Sequence, residues 1–210
     1  MSAKIEKIFP AFASIEFESV PVGIFAADAL LKKSPISLIR SGTNGRGRFL
    51  VFIAGSTASV EEAYEEALFH GEGYILDSAF LPDIHEQVYC AVLGEIRQQG
   101  AGAILAVETP TVSCCIEAAE RALKGTPVTL LEFRAGDPRM GGKGFFLLQG
   151  DLTDIEAAKE LAAEFLSARN ISATYRLLTS PSEFMVQQLF STTRFNKASA
   201  LELDGEIPAE

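Results

Sequence analysis

Apolar positions along the chain gather into short runs separated by stretches of helical spacing, and the same order of runs occurs twice. Ala11–Phe17 and Ala103–Glu108 are compact apolar segments with strand character. Each precedes an alanine-rich stretch that reads as a helix, residues 20–33 and 112–124. In the second of these Val112, Cys115, Ile116, Ala119 and Leu123 fall at i, i+3, i+4, i+7 and i+11, one apolar helix face. Pro110 stands near its start, and Pro35 and Pro127 stand just past the two helix ends. Second strands are expected at Ile36–Arg40 and Val128–Phe133, each followed by a glycine-rich loop. Third strands follow at Phe49–Ala54 and Gly144–Gln149, then helices near 58–69 and 153–168 with candidate N-caps in Thr57–Ser59 and Thr153-Asp154. Last strands near 73–80 and 171–178 lead into short helices. A strand–helix–strand succession implies a βαβ crossover and predicts a mixed sheet with helices against it.

The two series are copies of one unit. AFASIE at Ala11–Glu16 faces AILAVE at Ala103–Glu108, and Ala26–Lys32 faces Ala118–Lys124, both at a spacing of 92. The spacing holds at Pro35/Pro127 and Leu38/Leu130, then becomes 95 at Gly47/Gly142, Gly55/Gly150 and Glu61/Glu156. The second copy therefore carries three extra residues between Leu130 and Gly142. Agreement on both sides of one insertion marks a duplicated domain, and the period is too long for a solenoid repeat. The expected boundaries are residues 1–97, residues 98–190, and a polar tail at 191–210 whose default state is solvated or disordered.

Composition narrows the function classes. The 210 residues are 48% apolar, enough for well-filled cores, and carry a formal charge of −10, which argues against a nucleic-acid partner. MSAKIEKIF lacks the continuous apolar stretch of a signal peptide, and no uncharged apolar run reaches bilayer length. Cys90, Cys114 and Cys115 are too few and too unpatterned for a disulfide framework.

AVETPTVSCCIEAAERALKGTPVTLLEF (106–133) and GGKGFFLLQGDLTDIEAA (141–158), with the weaker counterparts at 15–39 and 49–63, resemble the tandem-domain shell proteins of bacterial microcompartments. The likeness spans about residues 10–190 and is greatest to the single-layer trimer type of propanediol-utilising compartments. It implies two ferredoxin-like α/β domains per chain, each a small mixed or antiparallel sheet with helices packed on it. Three chains would imitate a hexamer, a flat tile that packs edge to edge around enclosed enzymes in the bacterial cytoplasm. The implied partners are further copies of the chain, other shell proteins, enclosed enzymes and small metabolites, with no nucleic acid, membrane or cofactor. The resemblance places a pore loop at Ser41–Arg48, with Gly42, Thr43, Asn44, Gly45 and Arg46 at its centre. It places a second at Arg134–Lys143, with Gly136, Asp137, Pro138, Arg139, Met140 and Gly141. The tile-edge lysine maps to Lys32 and Lys124. The basic, histidine-containing motif usual after the last strand is absent: Thr179–Ser182 and Leu81–His85 stand there instead.

Two other classes compete with this reading. A ligand- or iron–sulfur-cluster-binding oligomer would use the central loops. Some tandem shell proteins hold a cluster through a pore-loop cysteine, but Gly45 stands at the matching position and neither loop contains Cys. Gly42-x4-Gly47 has phosphate-loop spacing, yet Arg48-Phe49 follows in place of Lys-Ser/Thr and leads into a strand. An enzyme would need a titratable constellation. His70 and His85 lie on different elements, and the equivalent pair Glu16 and Glu108 follows from duplication, so no catalytic or metal site is expected. The loops are basic on an acidic body: Arg46 and Arg48 stand without an acid, and Arg134, Arg139 and Lys143 stand against Asp137. They are expected to make the pore electropositive.

Overall fold

The computed structural model describes residues 11–94 and 101–201, with 203 and 205. The expected boundary at 97/98 and the N-terminal segment lie outside the described residues. The first unit runs β1 (Ala11–Phe17), α1 (Val20–Lys33), β2 (Leu38–Thr43), β3 (Phe49–Gly55), α2 (Thr57–His70), β4 (Ile75–Leu81) and α3 (Glu86–Leu93). The second repeats it as β5 (Ala103–Thr109), α4 (Val112–Gly125), β6 (Thr129–Arg134), β7 (Gly144–Gly150), α5 (Leu152–Ala168), β8 (Thr174–Leu178) and α6 (Glu183–Ser191).

The strand orders are β2-β3-β1-β4 and β6-β7-β5-β8, and every pairing is antiparallel. The mixed sheet implied by the crossover does not form, because β3 inserts between β1 and β2. Those two strands run parallel but never touch, which is the split βαβ of a ferredoxin-like fold. The central strands β1 and β3 are buried along their whole length because both sheet faces are covered, so they read as continuous apolar runs and not as alternation. The N-caps lie just ahead of the expected residues. Ser56 caps α2 by accepting from the Ser59 N–H at 3.2 Å, and Asp151 precedes α5.

The copies fill their cores by opposite means at one point. A Cβ on Gly23 of α1 would lie 2.5 Å from the Phe49 ring, so in the first unit the helix is small and the strand large. At the equivalent positions of the second unit Cys115 stands on the helix and Gly144 on the strand, and a Cβ on Gly144 would lie 2.3 Å from the Cys115 Cβ. Volume is kept within each pair, and neither partner can be exchanged alone without overpacking.

The two units share a seam built around α4. Helix α4 packs on α5 and β7 of its own unit and also on β1 and β4 of the first. One apolar core accordingly runs through both, from Phe12, Phe52 and Val88 to Ile116, Leu130 and Phe146. Glu16 on β1 and Asp77 on β4 are cross-strand neighbours that meet the amino end of α4, where backbone N–H groups have no helical acceptor. The Ser113 N–H donates to Glu16 Oε1 at 2.7 Å and the Cys114 N–H to Asp77 Oδ2 at 3.1 Å. The Ser14 hydroxyl donates to that of Ser113 at 2.8 Å. Arg169 closes the group, donating to Asp77 and Glu117 at 2.6 Å each. Further along, the His85 N–H donates to the Glu120 carboxylate and the Leu130 N–H to Gln87 Oε1.

Glu16 is fully buried and its Oε2 has no partner. Burial raises its pKa to about 7, outweighing the Ser113 and Val112 N–H groups that favour the carboxylate. Burial raises Glu117 to about 7 as well, opposed by Arg169. A carboxyl whose pKa is higher folded than unfolded gives stability that is complete below the unfolded value, near 4.5, and lost as pH rises through 7. The melting temperature should therefore fall between pH 5 and pH 8. Glu16→Gln should flatten that fall by about half and gain on the order of 1–3 kcal/mol at pH 8. Thermal melts across this range check it, and an unchanged slope in the variant would remove Glu16 from the account.

Candidate functional site

Strand β2 continues through Thr43, so Gly42 and Thr43 pair with Leu50 and Phe49 in the ladder and do not belong to the loop assigned to them. The reversal is confined to residues 44–48. The Asn44 N–H donates to Arg48 O at 2.8 Å and the Arg48 N–H to Gly45 O at 3.1 Å. Gly45, Arg46 and Gly47 take φ of +51°, +53° and +75°, a left-handed run that two glycines make affordable and Arg46 must bear.

The second loop spends its extra residues on a 3-10 turn, Pro138–Met140, whose cap Asp137 accepts from the Arg139 N–H at 3.1 Å. The structure brings the two loops together. A Cβ on Gly45 would lie 2.9 Å from Gly142 N and from Pro138 O, so position 45 admits no side chain, a thiol included, without displacing the second loop. Arg48 Nη1 reaches across to Gly142 O at 3.3 Å and Pro110 O at 3.2 Å.

The loop charges are fewer than the sequence count implies. Lys143 pairs with Glu108 at 2.6 Å. Arg134 is largely buried, pairs with Glu132 at 3.1 Å and donates to Thr193 Oγ1. Asp137 also receives Arg194 at 3.4 Å. The start of the tail is thus tied to the second loop and is not a free solvated end. Arg46 and Arg139 remain exposed, with no ion pair among the described residues.

The other expected residues divide in the same way. Lys124 pairs with Glu120 at 2.8 Å and donates to Asp83 O of the first unit, whereas Lys32 is exposed and among the described residues pairs only with Asp28, one turn earlier on its own helix. Glu108 is partly exposed beside Lys143, unlike its buried counterpart Glu16. His70 pairs with Glu66 at 3.1 Å, and His85 Nδ1 caps α3 by accepting from the Gln87 N–H. Cys114 and Cys115 are buried, and burial pushes both thiols up, away from the reactive thiolate. Among the described residues no group of three His, Cys, Asp or Glu side chains could hold a metal ion, and no helix is long and apolar enough to cross a membrane.

Comparison with known proteins matches the BMC domain family model twice, at residues 11–84 and 103–180. The chain is 31% identical over 179 residues to the bacterial microcompartment shell protein PduT of Citrobacter freundii, covering 85% of this chain and 97% of that one. A microcompartment protein of Desulfitobacterium hafniense superposes with a TM-score of 0.73 at 28% identity, covering 85% of this chain and 99% of that one. The double-ringed trimeric shell protein MSM0271 of the RMM microcompartment shares the fold at a TM-score of 0.56 and 17% identity, over 75% of this chain and 83% of that one. With two family domains in one chain and a shell-protein relative matched almost end to end, the chain belongs to the BMC domain family and is a structural component of a bacterial microcompartment shell.

Proposed function

We propose that three copies close into a ring of six domains whose paired loops line a central pore and whose rim tiles with other shell proteins. One observation carries this: the chain makes one seam and leaves both halves of a second seam open. Helix α4, packed between its own unit and the first, buries ten residues, whereas its counterpart α1 buries four. Ile24 and Phe25 of α1 are 55% and 59% exposed, and Leu31 is exposed with them. At the other end Phe184 and Met185 of α6 are exposed, while the counterpart helix α3 buries Val88, Ala91 and Val92. An open α1 face at one end and an open α6 face at the other form a heterologous, head-to-tail contact, which closes into a ring when the rotation fits. The internal seam supplies that rotation, since it joins equivalent domains in the same manner. The role is structural and not catalytic, as befits the family. A cluster- or ligand-binding use of the pore itself is disfavoured by the glycine packing at Gly45.

Lys32 is the freer of the two edge lysines, because Glu120 and Asp83 hold Lys124 within its own chain. In sedimentation at micromolar concentration the wild type should run as a trimer and Ile24→Glu/Phe25→Glu as a monomer. A stable wild-type monomer would sink the ring. Lys32→Glu should keep the trimer but impair sheets seen by electron microscopy, and normal sheets would remove Lys32 from the edge.

The ring would set Arg46 and Arg139 of three chains, six exposed cations, near one axis. Salt screens beyond about 8 Å at physiological ionic strength, but a narrow opening lies within that range. Such an opening favours anionic metabolites. Reconstituted wild-type layers should pass anions in preference to cations, and Arg46→Glu/Arg139→Glu should abolish or reverse the preference. Equal permeability to both signs in both proteins would end the anion-pore reading.

A further inference from the structure

Beside the loops lies a cavity of about 610 Å³ that neither the fold nor the pore requires. Its walls are the carboxyl end of α3 (Ala91–Gly94), the start of the second loop, and the segment that follows α6. Among the described residues five cationic side chains line it, Arg40, Arg134, Arg139, Arg194 and Lys197, against Asp137 as the only carboxylate. This concentration of positive charge stands on a chain whose formal net charge is −10. Three of the five, Arg40, Arg194 and Lys197, belong to neither loop. They come from β2 and from beyond α6, segments far apart in sequence that the fold brings to one place.

Next to it is a separate, smaller cleft of about 190 Å³ that shares Arg40, Ala135 and Gly136 as lining and is also lined by Asn44. Asn44 is 1% exposed, and neither its Oδ1 nor its Nδ2 has a hydrogen-bond partner. Burying an amide with both functions unmet is costly unless something else meets them. The positions of the charges are partly fixed in advance. Arg40 Nη1 donates to Val92 O at 3.3 Å and Leu93 O at 3.4 Å. Asp137 draws Arg134 and Arg194 to the same wall, at 3.9 Å and 3.4 Å. Arginine forks held in this way suit planar, multidentate oxyanions better than single point charges. The volume falls in the range of small-molecule sites.

We propose that this cavity binds one small multivalent oxyanion per chain, a phosphorylated or polycarboxylate metabolite. Its charged end would sit among Arg40, Arg139 and Lys197, and a hydroxyl or carbonyl would reach the Asn44 amide. The site does not depend on ring closure, and it shares Arg139 with the second loop.

The test is calorimetric titration of the full chain at 0.15 M salt with pyrophosphate and, separately, citrate. Saturable binding of either at one per chain is expected, and the stronger of the two identifies the ligand class. Arg40→Gln/Lys197→Gln should weaken it at least tenfold, while Arg46→Gln, a loop cation outside the cavity, should leave it unchanged. Arg40 also holds the carboxyl end of α3, so Lys197→Gln alone, expected to weaken binding about threefold, guards against a folding defect. Absence of saturable binding by both anions overturns the proposal. So does equal loss of affinity in Arg46→Gln and the double variant, which would reveal diffuse charge attraction and no site. Anion preference across layers should persist in Arg40→Gln/Lys197→Gln, so failure of the cavity and failure of the pore give different results.

Discussion

The docking of α4 onto Glu16 and Asp77 sets the geometry on which the rest of the molecule depends. A helix start carries unsatisfied N–H groups and the positive end of a dipole, so two carboxylates on adjacent strands hold it in both position and direction. Arg169, reaching from the end of α5, joins Asp77 to Glu117 and makes the arrangement a network with members from both units. Helix α4 is buried between the two units, and this contact acts with the shared apolar core to set how the sheets meet. That arrangement brings Gly45 against Gly142, and the loops meet because the seam is set. Within the seam, charge and burial pull against each other at Glu16, whose oxygen accepts a helix N–H while its surroundings favour the protonated form.

Duplication gave the chain two units of one topology, and the structure shows where they diverged. The Gly23–Phe49 and Cys115–Gly144 pairs keep the helix–strand distance with opposite distributions of volume, so both units retain one fold without sharing a core sequence. The two glutamates diverge as well. At the position of Ser113, whose N–H binds Glu16, the first unit has Pro21, which has no N–H to give. Within the chain Glu108 pairs with Lys143, and in the proposed ring Pro21 of a neighbouring copy would have no N–H to offer it. Carboxylates equivalent in sequence thus take different partners.

Much of this was legible in the sequence. The repeat, the bounds of β1 and α1, and the three-residue insertion that became the 3-10 turn could all be read from the pattern, since the apolar period reports local structure directly. The antiparallel sheet could not, because the period of β3 does not say between which strands it inserts. The ladder through Gly42 and Thr43 is not evident from the sequence, because the surrounding Ser41, Gly42, Asn44 and Gly45 read as a turn and outweigh the strand preference of Thr43. Counting charges overstated the pore for a related reason. Glu108, Glu132 and Arg194, which tie up three of the charged groups of the loops, stand far from them in sequence or outside the counted segment. The one available signal for the seam was the contrast of Ser113 with Pro21, and its meaning depends on knowing that Glu16 faces it.

A tandem chain also relaxes a constraint that a symmetric ring of six identical domains would impose. There every substitution appears six times, at six equivalent seams, and a buried carboxylate or a one-sided cavity must be tolerated at all of them. Here the seam within the chain and the seam proposed between chains use separate residues. The inner one can hold Glu16 without solvent and bind Arg169 permanently, because its halves never part. The outer one presents Ile24, Phe25 and Leu31, apolar groups that lose little when exposed before assembly and need no partner of matched charge. The cations beside the second loop follow the same logic. Arg194 and Lys197 lie beyond α6, in a segment that has no counterpart in the first unit, and Asp137 lies in the loop that carries the insertion. The features that break the sixfold likeness most strongly are therefore gathered at one site, where the duplicated chain was free to add chemistry without adding it everywhere.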